Sequence, residues 1–229
     1  MNEEIKQMQE EVTILAKQIE DICKSDSEVN NLYLGTQIYY SPLKEKMEIM
    51  FIGINPGPGR SEENRKFSET NPLEKSEYEI EEFTLQNEWC AVFKLMNNKE
   101  ALYNSFKTNC CFLATKGINE LAELKRILKH KYKIDIDLKE KEWVTILTKY
   151  VNPKIIICEG FAAFNKVIEI FNVDRSKIWS TTADDKIGYI NIHNEWCVVL
   201  GFARRYSTLR TKDLGEVADL INDAINRNL

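Results

Sequence analysis

The sequence MEIMFIGINPGPG, residues 47–59, joins an apolar run to a loop rich in proline and glycine. The run over residues 47–54 is apolar at almost every position, which is typical of a strand buried on both faces of a parallel sheet. The loop NPGPG that follows is incompatible with a regular element. Ligands of open α/β sheets bind beyond the carboxyl ends of the strands, so this loop is the first indication of a binding site.

Short apolar runs with the length of strands recur along the chain, at residues 106–113, 154–158, 189–193 and 197–202. Segments with the helical spacing of apolar residues lie between or after them, at residues 87–105, 118–132, 141–151, 161–171 and 211–229. Short strands that alternate with helices predict an α/β fold. We expect a three-layer α/β/α architecture with a central, mainly parallel sheet of about four to five strands.

The N-terminal segment has a different character from the rest of the chain. Apolar residues recur every three or four positions from Ile5 to Cys23, which predicts an amphipathic helix. We therefore expect an N-terminal helix and lead-in over residues 1–45, packed on an α/β domain over residues 46–229. Residues 60–86 are charged and acidic, which favours a loop. Hydrophobic residues make up 43% and charged residues 29% of the chain, a composition that excludes disordered and fibrous classes.

The charge balance argues against a protein that adheres to nucleic acid through bulk electrostatics. The chain has 31 basic and 36 acidic residues, a formal net charge of -5. However, the acidic residues concentrate in the N-terminal helix and in the loop over residues 60–86, whereas basic residues cluster near residues 204–212. This distribution does not forbid contact with nucleic acid, but it limits such contact to a small, local footprint that is sensitive to salt.

The six cysteines form no CxxC pair and lie mostly in apolar runs, which indicates reduced, buried thiols. The N-terminus has no apolar signal-peptide region, and no apolar run approaches the roughly 18 residues that a membrane span needs. We expect a cytoplasmic protein without a membrane partner. Only two histidines are present, so we expect no metal site.

The loop after the first strand lacks the features of nucleotide-binding loops. GINPGPG, residues 53–59, has neither the GK[ST] ending of a phosphate-binding loop nor the spacing of GxGxxG. It places Asn55 on a rigid turn, where a neutral amide can hold a water molecule and hydrogen-bond a substrate. A tight turn in which asparagine tolerates an unusual backbone conformation explains the same residues.

The segment from Gly53 to Pro58 resembles the first motif of the uracil-DNA glycosylase superfamily, most closely its single-strand-selective monofunctional and mismatch-specific branches. The resemblance implies a uracil-DNA glycosylase-like domain in which Asn55 positions the hydrolytic water. It also assigns substrate-binding roles to neighbouring loop residues, Gly53, Ile54, Pro56 and Gly57. Phe67, twelve positions after Asn55, is the implied stacking partner of the extruded base.

Asn109 lies in the run over residues 106–113, which resembles the base-reading strand of the same superfamily. An asparagine amide both donates and accepts, which suits the adjacent N–H and C=O groups of a pyrimidine. A simple capping role for Asn109 at the strand end is the alternative.

The second motif departs from the superfamily pattern. Members commonly carry His-Pro-Ser after a buried strand, and here Arg205, Tyr206 and Ser207 fall on those positions. We expect Arg205 to be catalytic through its permanent charge and Tyr206 and Ser207 to contact substrate; a shift by one position would place Arg204 in that role. The expected DNA contacts are Arg204, Leu209, Arg210 and Lys212, with Leu209 or Arg210 filling the gap left by a flipped nucleotide. A solvated helix N-terminal turn is the alternative.

Together these features predict a monofunctional DNA glycosylase that flips a pyrimidine-type base and hydrolyses its N-glycosidic bond. The base is uracil or a modified pyrimidine, and the task is base-excision repair or defence against phage with modified DNA. We expect a monomer whose partner is DNA, with no cofactor. The first motif contains no lysine, so a lyase step is not indicated. A catalytically impaired DNA- or protein-binding module is the main alternative, and a protein acting on a small nucleoside is another.

Overall fold

The computed structural model describes residues 2–57, 66–80, 83–205, 208–211 and 213–226. Its helices are α1 (Glu3–Ser25), α2 (Ser27–Leu32), α3 (Glu77–Ile80), α4 (Thr84–Leu95), α5 (Lys99–Tyr103), α6 (Ile118–Tyr132), α7 (Ile136–Val151), α8 (Phe161–Ile170) and α9 (Leu214–Ile225). Its strands are β1 (Gly35–Gln37), β2 (Ile49–Gly53), β3 (Phe67–Glu69), β4 (Phe106–Asn109), β5 (Leu113–Ala114), β6 (Ile155–Cys158), β7 (Asp185–Ile192), β8 (Glu195–Phe202), β9 (Arg204–Arg205) and β10 (Thr208–Leu209).

The central sheet has five strands in the order β4-β2-β6-β8-β7. The first four strands are parallel, and β7 runs antiparallel to β8 at one edge. Helices flank both faces of this sheet, which confirms the predicted three-layer α/β/α fold. After β2 the chain forms β4 on one side of β2, and it then crosses to the other side to form β6. The sheet therefore has a topological switch point at the carboxyl end of β2, where such folds bind ligands.

Alternate side chains of each central strand pack on opposite faces of the sheet. In β2, Met50 and Ile52 pack in a cluster with α1, α6, α7 and α8, whereas Ile49 and Phe51 pack in a second cluster with α4 and α9. Burying each such side chain stabilises the fold by about 1.5–3 kcal/mol. Burial on both faces explains why the sequence of β2 is apolar at every position.

The predicted strand over residues 106–113 is interrupted in the structure. Its first part, β4, ends at Asn109, and its last residues form β5 in a separate sheet of order β3-β1-β5. The polypeptide changes sheets after Asn109, where the amides of Cys110 and Cys111 still donate to the carbonyls of Gly53 and Ile54. This break ends β4 beside the switch point.

The N-terminal 45 residues pack against the rest of the chain. In α1, Ile5, Met8 and Val12 are buried in the same cluster as one face of the sheet. Further along, β1 pairs with both β3 and β5. None of the helices in the described ranges has the length and apolar character that crossing a bilayer requires.

Candidate active site

A cavity of about 330 Å³ opens at the carboxyl ends of β2, β4 and β6, next to the switch point. We call it the strand-end cavity. Loop residues after β2, polar residues of β4, the residue after β6 and aromatic residues near α3 and α4 form its walls. The lining residues are Tyr40, Gly53, Ile54, Asn55, Pro56, Gly57, Glu77, Phe83, Thr84, Leu85, Lys107, Asn109, Glu159 and Arg204.

The Asn55 amide has a fixed orientation in this cavity. Its Nδ2 donates to the carbonyl oxygen of Pro56 and to Oγ1 of Thr115, each at 3.0 Å. The Thr115 hydroxyl donates its own proton to the carbonyl oxygen of Gly117 at 2.8 Å, so it can only accept from Asn55. Because both neighbours of Nδ2 are acceptors, the amide cannot be flipped without losing both bonds. The Oδ1 atom is left as an acceptor without a partner in the described chain.

Asn109 lies beside Gly53, its register partner across β2 and β4. Its side chain lies against Gly53 so closely that a methyl group added there would collide with Oδ1 of Asn109. Glycine at position 53 is therefore needed for this side chain to reach the cavity. Asn109 is only 5% exposed, and its amide forms no hydrogen bond within the described part of the chain. Both amides of the predicted site thus line one cavity and have hydrogen-bonding atoms without a partner among the described residues.

A buried charged network forms the floor of the strand-end cavity. The ammonium of Lys107 lies 2.5 Å from Oε1 of Glu77 and 3.0 Å from Oε2 of Glu159. Oε1 of Glu159 accepts from the Tyr78 hydroxyl at 2.8 Å and from the Trp89 indole N–H at 3.1 Å. Each charge has a partner, as burial of charged groups requires.

This network was not predicted from the sequence, although one signal for it exists. Side chains alternate along a strand, so Lys107 and Asn109 of β4 lie on the same face. A lysine inside a strand that is buried at every position requires a carboxylate partner, and the strand-end residue Glu159 was available to supply one.

The two ion pairs keep the central members of the network charged. Burial favours a higher pKa for Glu159, but the positive charges of Lys107 and Arg204 outweigh it and lower the pKa of that carboxyl. Burial likewise opposes the ammonium form of Lys107, but Glu159 and Glu77 outweigh it and raise its pKa. At neutral pH the floor of the cavity therefore holds the ionised carboxylate of Glu159 beside the ammonium of Lys107.

Arg204, rather than Arg205, lines the strand-end cavity. Its Nη1 lies 3.4 Å from the carbonyl oxygen of Glu159, the residue that follows β6. Arg205 is exposed and pairs with Thr208 in the short β9–β10 hairpin, and it is not among the described residues that form the cavity wall. Successive residues of a strand point in opposite directions, so only one of these two arginines can face the site. The prediction that Arg205 lies in the site is corrected to Arg204.

The structure also places the predicted stacking aromatic elsewhere. Phe67 belongs to β3, pairs with Gly35 of β1 and packs its ring over that glycine. The described aromatic residues that do line the cavity are Tyr40 and Phe83. The prediction failed because Phe67 was identified by its distance along the chain from Asn55, whereas a short strand takes it to a different sheet.

Two predicted DNA contacts have other structural roles. Leu209 is 5% exposed and packs in the core cluster of α4 and α9, so it is not a wedge for a vacated base position. Arg210 is exposed, with its Nε 3.2 Å from Oδ1 of Asp184. Tyr206, Ser207 and Lys212 lie outside the described residues.

A second cavity, of about 400 Å³, lies on the other side of Ile54, and we call it the α6–α8 cavity. Its centre is Glu140, which is 1% exposed, with Lys125 at 2.5 Å and Lys166 at 3.6 Å from its carboxylate oxygens. Burial raises the pKa of Glu140 despite these lysines. The other lining residues are Cys110, Cys111, Ile118, Leu121, Ala122, Arg126, Lys129 and Asp137.

The strand-end cavity defines an α/β protein with two neutral amides, a buried carboxylate and an arginine around one pocket. Such a set can orient water and hydrogen-bond the edge of a planar polar ligand. Within the described ranges, no cluster of three or more His, Cys, Asp and Glu side chains has the geometry for a metal ion. No protein-family model matches the chain, and no curated protein is detectably similar to it.

Proposed function

We propose that this protein is a monofunctional DNA glycosylase of the uracil-DNA glycosylase type. It would flip a pyrimidine-type base, uracil or a modified pyrimidine, into the strand-end cavity and hydrolyse the N-glycosidic bond to leave an abasic site. The observation that carries this proposal is the convergence of Asn55 and Asn109 on one cavity, where Oδ1 of Asn55 and the amide of Asn109 have no hydrogen-bond partner among the described residues.

In this mechanism Asn55 orients the attacking water. Its Oδ1 accepts a hydrogen bond from the water, while Pro56 and Thr115 hold Nδ2 and so fix the direction of the acceptor. The amide is neutral and takes no proton, so its contribution is positioning. The water oxygen bonds to C1′ of the sugar, the electron pair of the C1′–N bond leaves with the base, and the water's proton passes to solvent.

Arg204 is the group that we assign to the departing base. The base leaves with a negative charge, and a permanent cation at the cavity wall stabilises that charge as it develops. Arg204 fits this role because it lines the cavity, whereas Arg205 is not among the described lining residues. An arginine cannot exchange protons as the histidine of the superfamily motif does, so the contribution is electrostatic.

The protonation state of Lys107 favours a reaction without a lyase step. A Schiff base requires an unprotonated amine, and Glu159 and Glu77 raise the pKa of Lys107 above its usual value. The ammonium also lies within 3.0 Å of both carboxylates, which hold it in place. We therefore assign Lys107 a structural role and water the role of nucleophile.

A DNA- or protein-binding module without catalysis is the second candidate. It is favoured by the arginine that replaces the histidine of the second motif, since that change removes proton transfer. Oδ1 of Asn55, which has no partner among the described residues, favours the enzyme, because a binding module has no need for an oriented water. In the cell, we place a glycosylase of this kind in the cytoplasm, in base-excision repair or in defence against phage with modified DNA.

The proposal is tested by incubating the protein with single- and double-stranded oligonucleotides that carry uracil or a modified cytosine, followed by alkali cleavage. We expect alkali-labile sites at the modified position with the wild-type protein. DNA binding that weakens with salt but produces no cleavage would favour the binding module. Absence of both binding and cleavage would leave a protein acting on a small nucleoside as the better explanation.

A further inference from the structure

The two oxygens of the Glu159 carboxylate accept different numbers of hydrogen bonds from the described residues. Oε1 accepts hydrogen bonds from three groups, the Tyr78 hydroxyl at 2.8 Å, the Trp89 indole at 3.1 Å and the Lys107 ammonium at 3.0 Å. For Oε2, Lys107 at 3.0 Å is the partner within the described chain. A carboxylate oxygen accepts about two hydrogen bonds, so Oε2 retains acceptor capacity.

Glu159 lines the strand-end cavity, and its Oε2 lies near Gly53, another residue of the cavity wall. Oε2 lies 3.6 Å from the point that a methyl group on Gly53 would occupy, and the side chain of Asn109 lies against the same glycine. Glu159 and Asn109 therefore flank Gly53 from two neighbouring strands of the sheet. One contributes a charged acceptor and the other an amide without a partner in the described chain.

We infer that Glu159 is a specificity-determining residue, which accepts a hydrogen bond from an N–H of the flipped base while Asn109 contacts the neighbouring ring position. This inference rests on the proposed function. The ligand class is a pyrimidine that presents an N–H next to an acceptor, as the N3–H and O4 of uracil or the N4–H and N3 of cytosine do. An ionised carboxylate cannot donate, so a base without that N–H leaves the remaining acceptor capacity of Oε2 desolvated and unsatisfied, with Lys107 as its partner in the described chain.

The position of Glu159 is compatible with departure of an anionic base. Its charge is compensated by Lys107, and Arg204 supplies a further cation beside the main chain of the same residue. The carboxylate therefore accepts a hydrogen bond from an N–H of the base, where a negative charge is favourable. Arg204 stabilises the negative charge that develops on the departing base.

Glu159→Gln is an informative variant because the network dictates the orientation of the new amide. Three donors surround the Oε1 position, so the glutamine oxygen must lie there and its NH₂ group must take the Oε2 position. The variant thus replaces the acceptor that faces the cavity with a donor. Glu140→Gln is the matched control, since Glu140 is also a buried carboxylate paired with lysine but lies in the α6–α8 cavity.

The experiment measures binding by fluorescence anisotropy of oligonucleotides whose target nucleotide has an uncleavable 2′-fluoroarabino sugar. The probes carry uracil, 3-methyluracil, cytosine or N4,N4-dimethylcytosine. For the better-bound pyrimidine, we expect wild type and Glu140→Gln to bind the N–H form about 10- to 100-fold more tightly than the N-methylated form. Glu159→Gln should reduce this ratio to about twofold or less, because its donor opposes the N–H.

An unchanged ratio in Glu159→Gln, equal binding of both forms by wild type, or no binding of any probe would overturn the inference. Glu159→Asp, which withdraws the carboxylate from the cavity by one methylene, provides the same test where the glutamine variant does not fold. Excision of uracil or cytosine is measured in parallel. Excision whose selectivity is independent of Glu159 rejects this inference alone, and Glu159-dependent binding without excision rejects the glycosylase proposal alone.

Discussion

The strand-end cavity and the α6–α8 cavity lie on either side of Ile54, and each contains a glutamate whose carboxylate is buried against a lysine. In the strand-end cavity, Glu159 accepts from tyrosine, tryptophan and lysine donors, and the pKa of its carboxyl is lowered once the neighbouring cations outweigh burial. In the α6–α8 cavity, Glu140 has lysine partners, and burial raises the pKa of its carboxyl.

This difference shows what separates a preorganised polar site from a buried ion pair. Neutral donors that aim at one oxygen hold Glu159 in a single orientation and leave the other oxygen available. The strand-end cavity also has two amides and two aromatic rings in its wall, whereas the described lining of the α6–α8 cavity has neither. Similar ion pairs therefore lie in different surroundings, and the amides distinguish the cavity to which we assign the proposed reaction.

The largest expected difference concerns the stability of the protein when a lysine of either cavity is replaced by methionine. Lys107→Met removes the ammonium that pairs with both Glu77 and Glu159 and leaves Arg204 as the remaining cation near Glu159, so we expect the free energy of unfolding to fall by about 3–5 kcal/mol. Lys125→Met leaves Lys166 near Glu140, and we expect a loss of about 1 kcal/mol. Urea unfolding measures both values, and equal losses would mean that the two carboxylates are equally dependent on their lysines.

An arginine at the rim of each cavity allows a second comparison, in catalysis. Arg204→Gln should lower the excision rate about 10²- to 10³-fold, because it removes the cation assigned to the departing base. Arg126→Gln, which alters the rim of the α6–α8 cavity, should leave the rate within about twofold of wild type. Single-turnover excision with excess enzyme separates this effect from binding, and comparable losses in both variants would contradict the role of Arg204.

Aromatic residues provide a third and smaller difference. Stacking of a base on an aromatic side chain contributes about 1–3 kcal/mol to binding, so Phe83→Ala should weaken binding of an oligonucleotide by roughly 5- to 150-fold. Phe67→Ala should not change binding, since Phe67 packs over Gly35 away from the cavity. Anisotropy titrations with protein of verified fold distinguish the two, and the reverse order would restore Phe67 as the stacking residue.

The smallest expected difference concerns pH and stability. Because burial raises the pKa of Glu140, ionised Glu140 costs stability at pH 7, and this cost is relieved as the pH falls through the raised value. We expect Glu140→Gln to be more stable than wild type at pH 7, by a difference that shrinks as the pH is lowered towards 4.5, the ordinary value for a glutamate. The stabilising contribution of Glu159 has the opposite sign and is lost only below its ordinary value near pH 4.5. A Glu140→Gln difference that grows on acidification would contradict this assignment.

The sequence was sufficient to predict the architecture of the sheet and the position of the cavity. Apolar runs such as those of β2 and β6 are buried on both faces, and that pattern is local in the chain. The loop with Asn55 and the strand end with Asn109 were also identifiable, because both follow such runs directly.

The parts that sequence reasoning missed depend on contacts between distant segments. The pairing of Lys107 with Glu77 and Glu159 joins three separate elements of the fold, so no local spacing indicates it. The choice between Arg204 and Arg205 depends on the direction of a two-residue strand. Phe67 and Leu209 were assigned by spacing to roles that their packing excludes.

The central claim, that the strand-end cavity hydrolyses an N-glycosidic bond with water oriented by Asn55, is tested most directly by single-turnover excision. The same oligonucleotide, carrying the base that wild type removes, is treated with wild type, Asn55→Ala and the control Glu140→Gln, and alkali-labile sites are counted over time. We expect Asn55→Ala to be slower by about 10²- to 10⁴-fold with oligonucleotide binding retained, and Glu140→Gln to match wild type. Excision by Asn55→Ala at the wild-type rate would contradict the account.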